Sequence, residues 1–313
     1  MTPLVIYHDH CTDGFGAAYA AWLTLGDAAE YLPMSYGQPL TRPVAGRDVY
    51  ILDFSFPPEE TRRIIREAAH TVWLDHHKSA FEAWCGEYKR GMRRVEDDRD
   101  QGYGDATYKI ILDDNKSGAR LAWGYFRSRT VPLKVRLIDD RDRWQFHYAD
   151  SKAFHAGLQL RKPWTFDDWH NLNEDKVIEQ GRTALAVYQQ QIDDRVWVAN
   201  RVTIVPGVID SHLSYLPPWL WSLSNQCYVA GLAVNSPIHQ SEIGHELATA
   251  SGTFGLVWYY DAATGRANCS LRSNGDYDVS LIAKAFGGGG HQNAAGFNID
   301  MPTLLRWLPG PQE

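Results

Sequence analysis

Residues 75 to 77 read Asp75-His76-His77 and close the apolar run Thr71-Val72-Trp73-Leu74, so a buried strand would deliver three side chains of metal-ligating type to one strand end. They have companions in chain order: His8, Cys11 and Asp13 after a first apolar run, Asp53 after a second, Asp140 and Asp142 further on, and Gly287-Gly288-Gly289-Gly290-His291 beyond them. Carboxylates and imidazoles at strand ends suit divalent cations, and phosphoester hydrolysis is a chemistry that needs them. Two cations about 3.5–4 Å apart can deprotonate a water, neutralise phosphoryl oxygens and stabilise a departing alkoxide. A mixed Asp and His shell suits Mn²⁺, one ion or two, with Mg²⁺ or Co²⁺ as alternatives. An Asp able to reach both ions would hold their separation.

Each residue also has a purely structural reading. Asp13 before Gly14 could cap the helix that follows, His8 could be a satisfied histidine at a strand end, and Asp53 could open the turn Phe54-Ser55-Phe56-Pro57-Pro58. The joint pattern favours chemistry, because independent structural causes would have to place every one of these residues at a strand end.

The elements that would position them are strands alternating with helices. Leu4–Tyr7, Val49–Leu52, Thr71–Leu74 and Thr107–Leu112 read as strands, and Gly14–Leu25, Pro58–Ala69 and Ser117–Arg127 as helices. This α/β alternation predicts a parallel, doubly wound N-terminal sheet with helices on both faces, where ligands bind beyond the carboxyl ends of the strands. Lys89 to Asp105, polar and charged in both signs, reads as a long surface loop in which Glu96, Asp97, Asp98 and Asp100 offset Arg90, Arg93 and Arg94. Val177, Ile178, Ala184, Leu185, Tyr188, Ile192 and Val196 recur at three- and four-residue intervals and predict one connecting helix. Strand-like segments follow at Val202–Val205, Cys227–Val234, Phe254–Tyr260 and Asn268–Leu271, predicting a smaller α/β domain with a mixed sheet. The expected division is residues 1–172, a connecting helix at 173–198, and residues 199–313.

Composition narrows the partners. In 313 residues, 44% are apolar and the formal net charge is −7, far from the basic balance that long duplex nucleic acid demands. Short oligonucleotides or nucleotides fit better. Four dispersed cysteines, Cys11, Cys85, Cys227 and Cys269, form no C-x-x-C pair, which argues against a disulfide framework and for a reducing compartment. Without an apolar run of spanning length or a basic, apolar leader, the expectation is a cytoplasmic protein with no membrane partner. No obligatory protein partner is evident, and a homo-oligomer stays open.

Near the C-terminus, four glycines would let backbone N–H groups approach an anion, with His291 adding a donor; a flexible linker is the alternative. Arg272 could hold a second phosphate or stack on a base, or form a surface salt bridge. Trp144, Trp219, Trp221 and Trp258 offer stacking surfaces, or simply core.

Taken together, His8 to Asp13, Asp53, Asp75-His76-His77, Asp139-Asp140-Arg141-Asp142, Ser270-Leu271-Arg272-Ser273 and the segment Gly287 to Gly296 resemble the DHH phosphoesterase superfamily with its DHH-associated C-terminal domain, over nearly the whole chain. The resemblance implies that His8 and Asp13 ligate different ions, that Asp53 bridges and that His76 ligates the second ion. It makes His77 a phosphate contact, Asp75 its orienting partner, and Arg272, Ser273, Gly288, Gly289, Gly290 and His291 substrate contacts. The family's first motif has two aspartates one residue apart, and here Cys11 stands in place of the first. Cys11 could enter the shell as a softer ligand, Asp9 could substitute, or one ion could suffice. Between Asp140 and Asp142 as the fourth acid, Asp140 is favoured. The resemblance points to a metal-dependent phosphodiesterase releasing nucleoside 5'-monophosphates from short oligonucleotides in an interdomain cleft. Alternatives are a cyclic-dinucleotide or single-strand DNA phosphodiesterase, a nucleotide 3'-phosphatase, or a nucleotide-binding regulator impaired by Cys11.

Overall fold

In a computed structural model that describes residues 1–97, 107–127, 130–204 and 229–308, the chain begins β1 (Leu4–His8), α1 (Thr12–Leu25), β2 (Glu30–Met34), β3 (Asp48–Leu52), α2 (Pro58–Glu67), β4 (His70–Asp75), α3 (Lys78–Cys85), β5 (Arg93–Asp97) and β6 (Thr107–Asp113). Five helices follow: α4 (Gly118–Phe126), α5 (Leu133–Asp142), α6 (Ser151–Gln159), α7 (Phe166–His170) and α8 (Glu174–Trp197). Along β1, Val5 and Tyr7 enter one core while Leu4 and Ile6 enter another, as a strand covered on both faces requires. β4 divides the same way, Val72 and Leu74 against Trp73. The first core is closed by α1, α4, α5 and α6, and the second by α2 and α3.

The sheet order is β2-β1-β3-β4-β6-β5, parallel except for β5, which runs antiparallel to β6. Because β2 and β3 lie on opposite sides of β1, the strand order reverses between β1 and β3. At such a switch point the flanking loops diverge and leave a crevice beyond the strand ends. His8 ends β1, Asp53 follows β3 and Asp75 ends β4, all on that edge.

Two strands depart from the expectation, both at sheet edges. β2 carries Pro33, which is tolerated where one side of a strand makes no ladder bonds. β5, Arg-Arg-Val-Glu-Asp, lies inside the segment read as a surface loop; it is a strand because an edge accepts charged residues, which also discourage pairing with other chains. The remainder of that segment, with Asp98 and Asp100, lies outside the described residues.

The chain divides into two units, Met1–Ala186 and Val187–Glu313, with the boundary inside α8. In the second unit, β7 (Asn200–Ile204), β8 (Val229–Asn235), α9 (Gln240–Ser251), β9 (Phe254–Asp261), β10 (Arg266–Ser273), α10 (Val279–Ala285), β11 (Gly289–His291), β12 (Ala294–Ile299) and α11 (Met301–Trp307) build a mixed sheet of order β11-β12-β10-β9-β8-β7. α9 covers one face through Ile243 and Leu247, and α10 and α11 cover the other through Ile282, Leu304 and Trp307. Trp219, Trp221, Cys227 and Val205 lie outside the described residues. Among the described residues no helix is long and apolar enough to cross a membrane. Cys11, Cys85 and Cys269 are free thiols.

Candidate metal centre

Asp53 sits one residue beyond β3, with a backbone φ of 53° in the left-handed region that non-glycine residues avoid. A strained backbone survives where its surroundings over-determine it. Here the Asp53 N–H donates to Leu74 O at 2.9 Å, and Gly118 packs so closely that a Cβ there would lie 2.4 Å from Asp53 Cβ and 2.7 Å from Oδ1. Gly118 is therefore part of the site, as the residue without a side chain that admits the carboxylate.

Around that carboxylate the other side chains converge. His76 Nε2 lies 3.1 Å from Asp53 Oδ1, 3.6 Å from Asp13 Oδ2 and 3.6 Å from Asp142 Oδ2, and His8 Nδ1 lies 3.9 Å from Asp53 Oδ2. Asp53 thus turns one oxygen toward the His76 group and the other toward His8. Ligand-type atoms of His8, Cys11 and Asp53 fall within 4.8 Å of one another, as do those of Asp13, His76 and Asp142. Bonds of about 2.0–2.3 Å to a shared cation place its donors roughly 3–4 Å apart, so the donor set fits divalent ions.

Asp75 does something else. Fully buried, it accepts the backbone N–H groups of His76 at 2.7 Å and His77 at 3.2 Å, the Ser55 hydroxyl, and His77 Nδ1 at 2.7 Å. This fixes the turn after β4 and orients the His77 ring, as a carboxylate partner does for a functional imidazole.

Asp13 lies in the first turn of α1, yet the helix it caps is distant in sequence. Its two oxygens accept the N–H groups of Gly118 at 2.6 Å and Ala119 at 2.9 Å, at the start of α4, where orphan donors and the helix dipole favour an anion. A carboxylate has about four acceptor positions, so each oxygen retains capacity for an ion.

The acidic run ending α5 is sorted by helix phase. Residues two apart on a helix point roughly 200° away from each other, so Asp140 and Asp142 cannot share one target. Asp140 accepts His147 N at 2.8 Å, Tyr148 N at 3.1 Å and the Ser151 hydroxyl, which holds residues 147–151. Asp142 faces His76, and Asp139 accepts Ser117 N at 2.8 Å. The preference for Asp140 as the fourth acid is therefore corrected: it organises a loop, and Asp142 joins the cluster.

Crowding shows in the protonation behaviour. Burial, then the neighbouring Asp13, raises the Asp53 carboxyl well above its ordinary range, and burial with Asp13 pushes Asp142 up to about 6. Burial, helped by His77, holds His8 down at about 4, leaving it neutral as a ligand must be. Burial, with Asp142 and Asp13, pushes the Cys11 thiol up to about 12, although the N–H groups of Gly14 and Asp13 pull the other way. Burial would raise Asp75 and lower His77, but their mutual attraction prevails, so Asp75 is lowered and His77 raised. Carboxylates that repel one another this strongly in a buried site form a charge pattern that divalent cations neutralise.

The second unit's expected contacts are placed differently. The N–H groups of Gly287 and Gly288 donate to Lys284 O at 3.0 Å and Ala283 O at 2.9 Å, closing α10, while Gly289 to His291 pair with β12 as an edge strand. Gly287 and Gly288 thus form a helix end, and Gly289 to His291 one strand of a β-hairpin that β12 pairs on one side only, as befits a sheet edge. Ser273 is buried and its hydroxyl donates to Tyr277 O at 2.5 Å, a structural tie. Arg272 lies along α9, its guanidinium donating to Leu271 O and to Ser241 Oγ, each at 2.8 Å. Trp144 packs edge-on against Phe146 with Arg141 over its ring, and Trp258 packs against the second unit's core.

Sequence reasoning missed Ser117-Gly118-Ala119, Ser55 and Asp139. A Ser-Gly-Ala start at a helix after a strand was the available signal for the first of these.

The family model for the DHHA1 domain matches residues 232–306. An uncharacterized protein of Acanthamoeba polyphaga mimivirus is 28% identical over 94% of this chain, which spans 66% of that relative's length. Two solved structures align with the chain over most of its length: a pGpG-specific phosphodiesterase, PggH, from Vibrio cholerae (TM-score 0.46, 11% identity, 98% of this chain and 96% of that one) and an exopolyphosphatase-related protein from Bacteroides fragilis (TM-score 0.48, 12% identity, 97% and 90%).

Proposed function

We propose that this chain is a divalent-metal-dependent phosphoesterase of the DHH superfamily, and that it hydrolyses short oligonucleotides to nucleoside 5'-monophosphates. The observation that carries this reading is the division of the Asp53 carboxylate, one oxygen 3.1 Å from His76 Nε2 and the other 3.9 Å from His8 Nδ1. A carboxylate so placed can hold two positions at a fixed separation.

Asp13, Asp53, His76 and Asp142 would hold one divalent cation, for which Mn²⁺ is our assignment, and His8 and Asp53 a second. Bound there, the cations supply an activated water and neutralise phosphoryl oxygens. His77, with Nδ1 donating to Asp75 and its basicity raised, would carry a proton on Nε2 and donate it as a charge-assisted hydrogen bond to a phosphoryl oxygen. Asp75 acts through His77, fixing its ring and favouring its protonated form. Arg272 and His291 would recognise the terminal nucleotide. The net charge of −7 favours few phosphate contacts over many.

The test is a panel of end-labelled di-, tri- and longer RNA and DNA, a cyclic dinucleotide and a nucleotide 3',5'-bisphosphate, each with Mn²⁺, Mg²⁺ or Co²⁺. Release of 5'-monophosphates, fastest from the shortest oligonucleotides and with a shallow dependence on salt, is the expected result. Preference for the cyclic dinucleotide or bisphosphate would replace the substrate class. Nucleotide binding with no turnover in any metal would make the protein a binding regulator.

A further inference from the structure

The two sides of Asp53 are chemically unlike. On one side, Asp13, His76 and Asp142 offer two carboxylates and an imidazole, with Asp53 Oδ1 beside His76. On the other, His8, Cys11 and Asp53 offer an imidazole, a sulfur and a carboxylate within the same 4.8 Å limit. Sulfur enters only the second group.

Nor is Cys11 there by accident of a loose loop. It is the N-cap of α1, three residues after His8, in extended backbone with φ −109° and ψ 135°. A Cβ on Gly14 would lie 2.2 Å from His8 O and 2.9 Å from His8 Cβ, so the first turn of α1 is pressed onto the end of β1. The turn that positions His8 therefore positions Cys11 as well.

We infer that the centre is a hard–soft pair, in which Asp13, Asp53, His76 and Asp142 hold a hard ion while His8, Cys11 and Asp53 select a borderline ion such as Zn²⁺ or Co²⁺. This rests on the metal-centre reading above and deepens it. A thiolate is large and polarizable and bonds these ions at about 2.3 Å, whereas Mg²⁺ demands oxygen ligands in near-octahedral array. Three protein donors of three kinds also leave a fourth position for water, the format of catalytic rather than structural zinc sites. Binding converts the Cys11 thiol and M²⁺ to a thiolate–metal bond and releases one proton to solvent. The soft position stays poorly filled in Mg²⁺ alone, and a mixture of a hard and a borderline ion loads both.

Titration of the metal-free 313-residue chain with Co²⁺, followed by absorption, reads this directly. The expected result is a sulfur-to-cobalt charge-transfer band in the near ultraviolet that grows over one of two bound equivalents. Cys11→Ser loses the band and retains the other equivalent. Cys11→Asp has no band, binds two equivalents, and gains Mg²⁺ affinity by about 10-fold or more, the scale of ligand-shell changes. Two equivalents of Co²⁺ on the unaltered protein without the band, or a band that survives Cys11→Ser, would overturn the inference and leave the metal centre standing. No Co²⁺ binding at all, or unchanged binding in Asp53→Asn, would overturn both.

Discussion

The acid–histidine cluster of the first unit and the glycine run of the second differ in what specifies them. Around Asp53 the identity of the atoms decides the outcome: carboxylates and imidazoles meet because β1, β3 and β4 end, α1 begins and α5 ends at one place. In Gly287–His291 the backbone decides: the glycines close α10 and then pair with β12 along one side. Side-chain chemistry declares its use in sequence. Glycine declares only that the backbone has freedom, and the neighbouring strand determines how it is spent.

The sharpest way to break this contrast is substitution at its two poles. Asp53→Asn is expected to lower turnover by about 10³-fold or more, beyond the 10–100-fold typical of an outer partner of a metal ligand, and to reduce bound metal in a stoichiometry measurement. His291→Ala should raise KM for the nucleotide substrate, and an unchanged KM would contradict its role in recognition.

Within the first unit, Asp140 and Asp142 make a finer comparison. Asp142→Asn should weaken Mn²⁺ binding by about 10–100-fold in calorimetry. Asp140→Asn should leave that affinity alone and lower unfolding free energy by about 1–3 kcal/mol, because the oxygen that accepts from Tyr148 N and the Ser151 hydroxyl becomes an amide donor while the other still accepts from His147 N. Gly118→Ala belongs with the first of these: the added Cβ would displace Asp53, so metal affinity falls by about 10-fold even though alanine improves helix propensity.

The smallest expected effect is on pH dependence. Asp142 rises from an ordinary 3.8 to about 6 in the folded chain, so its contribution to stability is present below 3.8 and is lost as pH climbs through 6. Metal-free Asp142→Asn should therefore melt a few degrees above the unaltered protein at about pH 8 and no higher at about pH 4. Mn²⁺ should remove the advantage at the higher pH by pairing with the ionised cluster. A melting difference independent of pH would place Asp142 outside the repelling group.

Much of the first sheet was legible, and the reason is burial. Strands covered on both faces, such as Thr71-Val72-Trp73-Leu74, are apolar throughout and announce themselves, and with them the strand ends that carry His8, Asp53 and Asp75. The edge strands were not, since Pro33 and the charges of Arg93 to Asp97 are what an edge permits and what a reader takes for loop. Helix phase also hid Asp142: the run Asp139-Asp140-Arg141-Asp142 contains three acids with three destinations, and only packing selects the one that faces His76. Gly118 is marked in the sequence only as part of a helix start, because its role is the space it leaves beside Asp53.

A crystal of the full chain soaked in Mn²⁺ and measured at the manganese absorption edge tests the metal centre most directly. An anomalous peak within about 2.5 Å of oxygens or nitrogens of Asp13, Asp53, His76 and Asp142 is the expected result. Manganese bound elsewhere, with Asp53 carrying no ion on either oxygen, would contradict it.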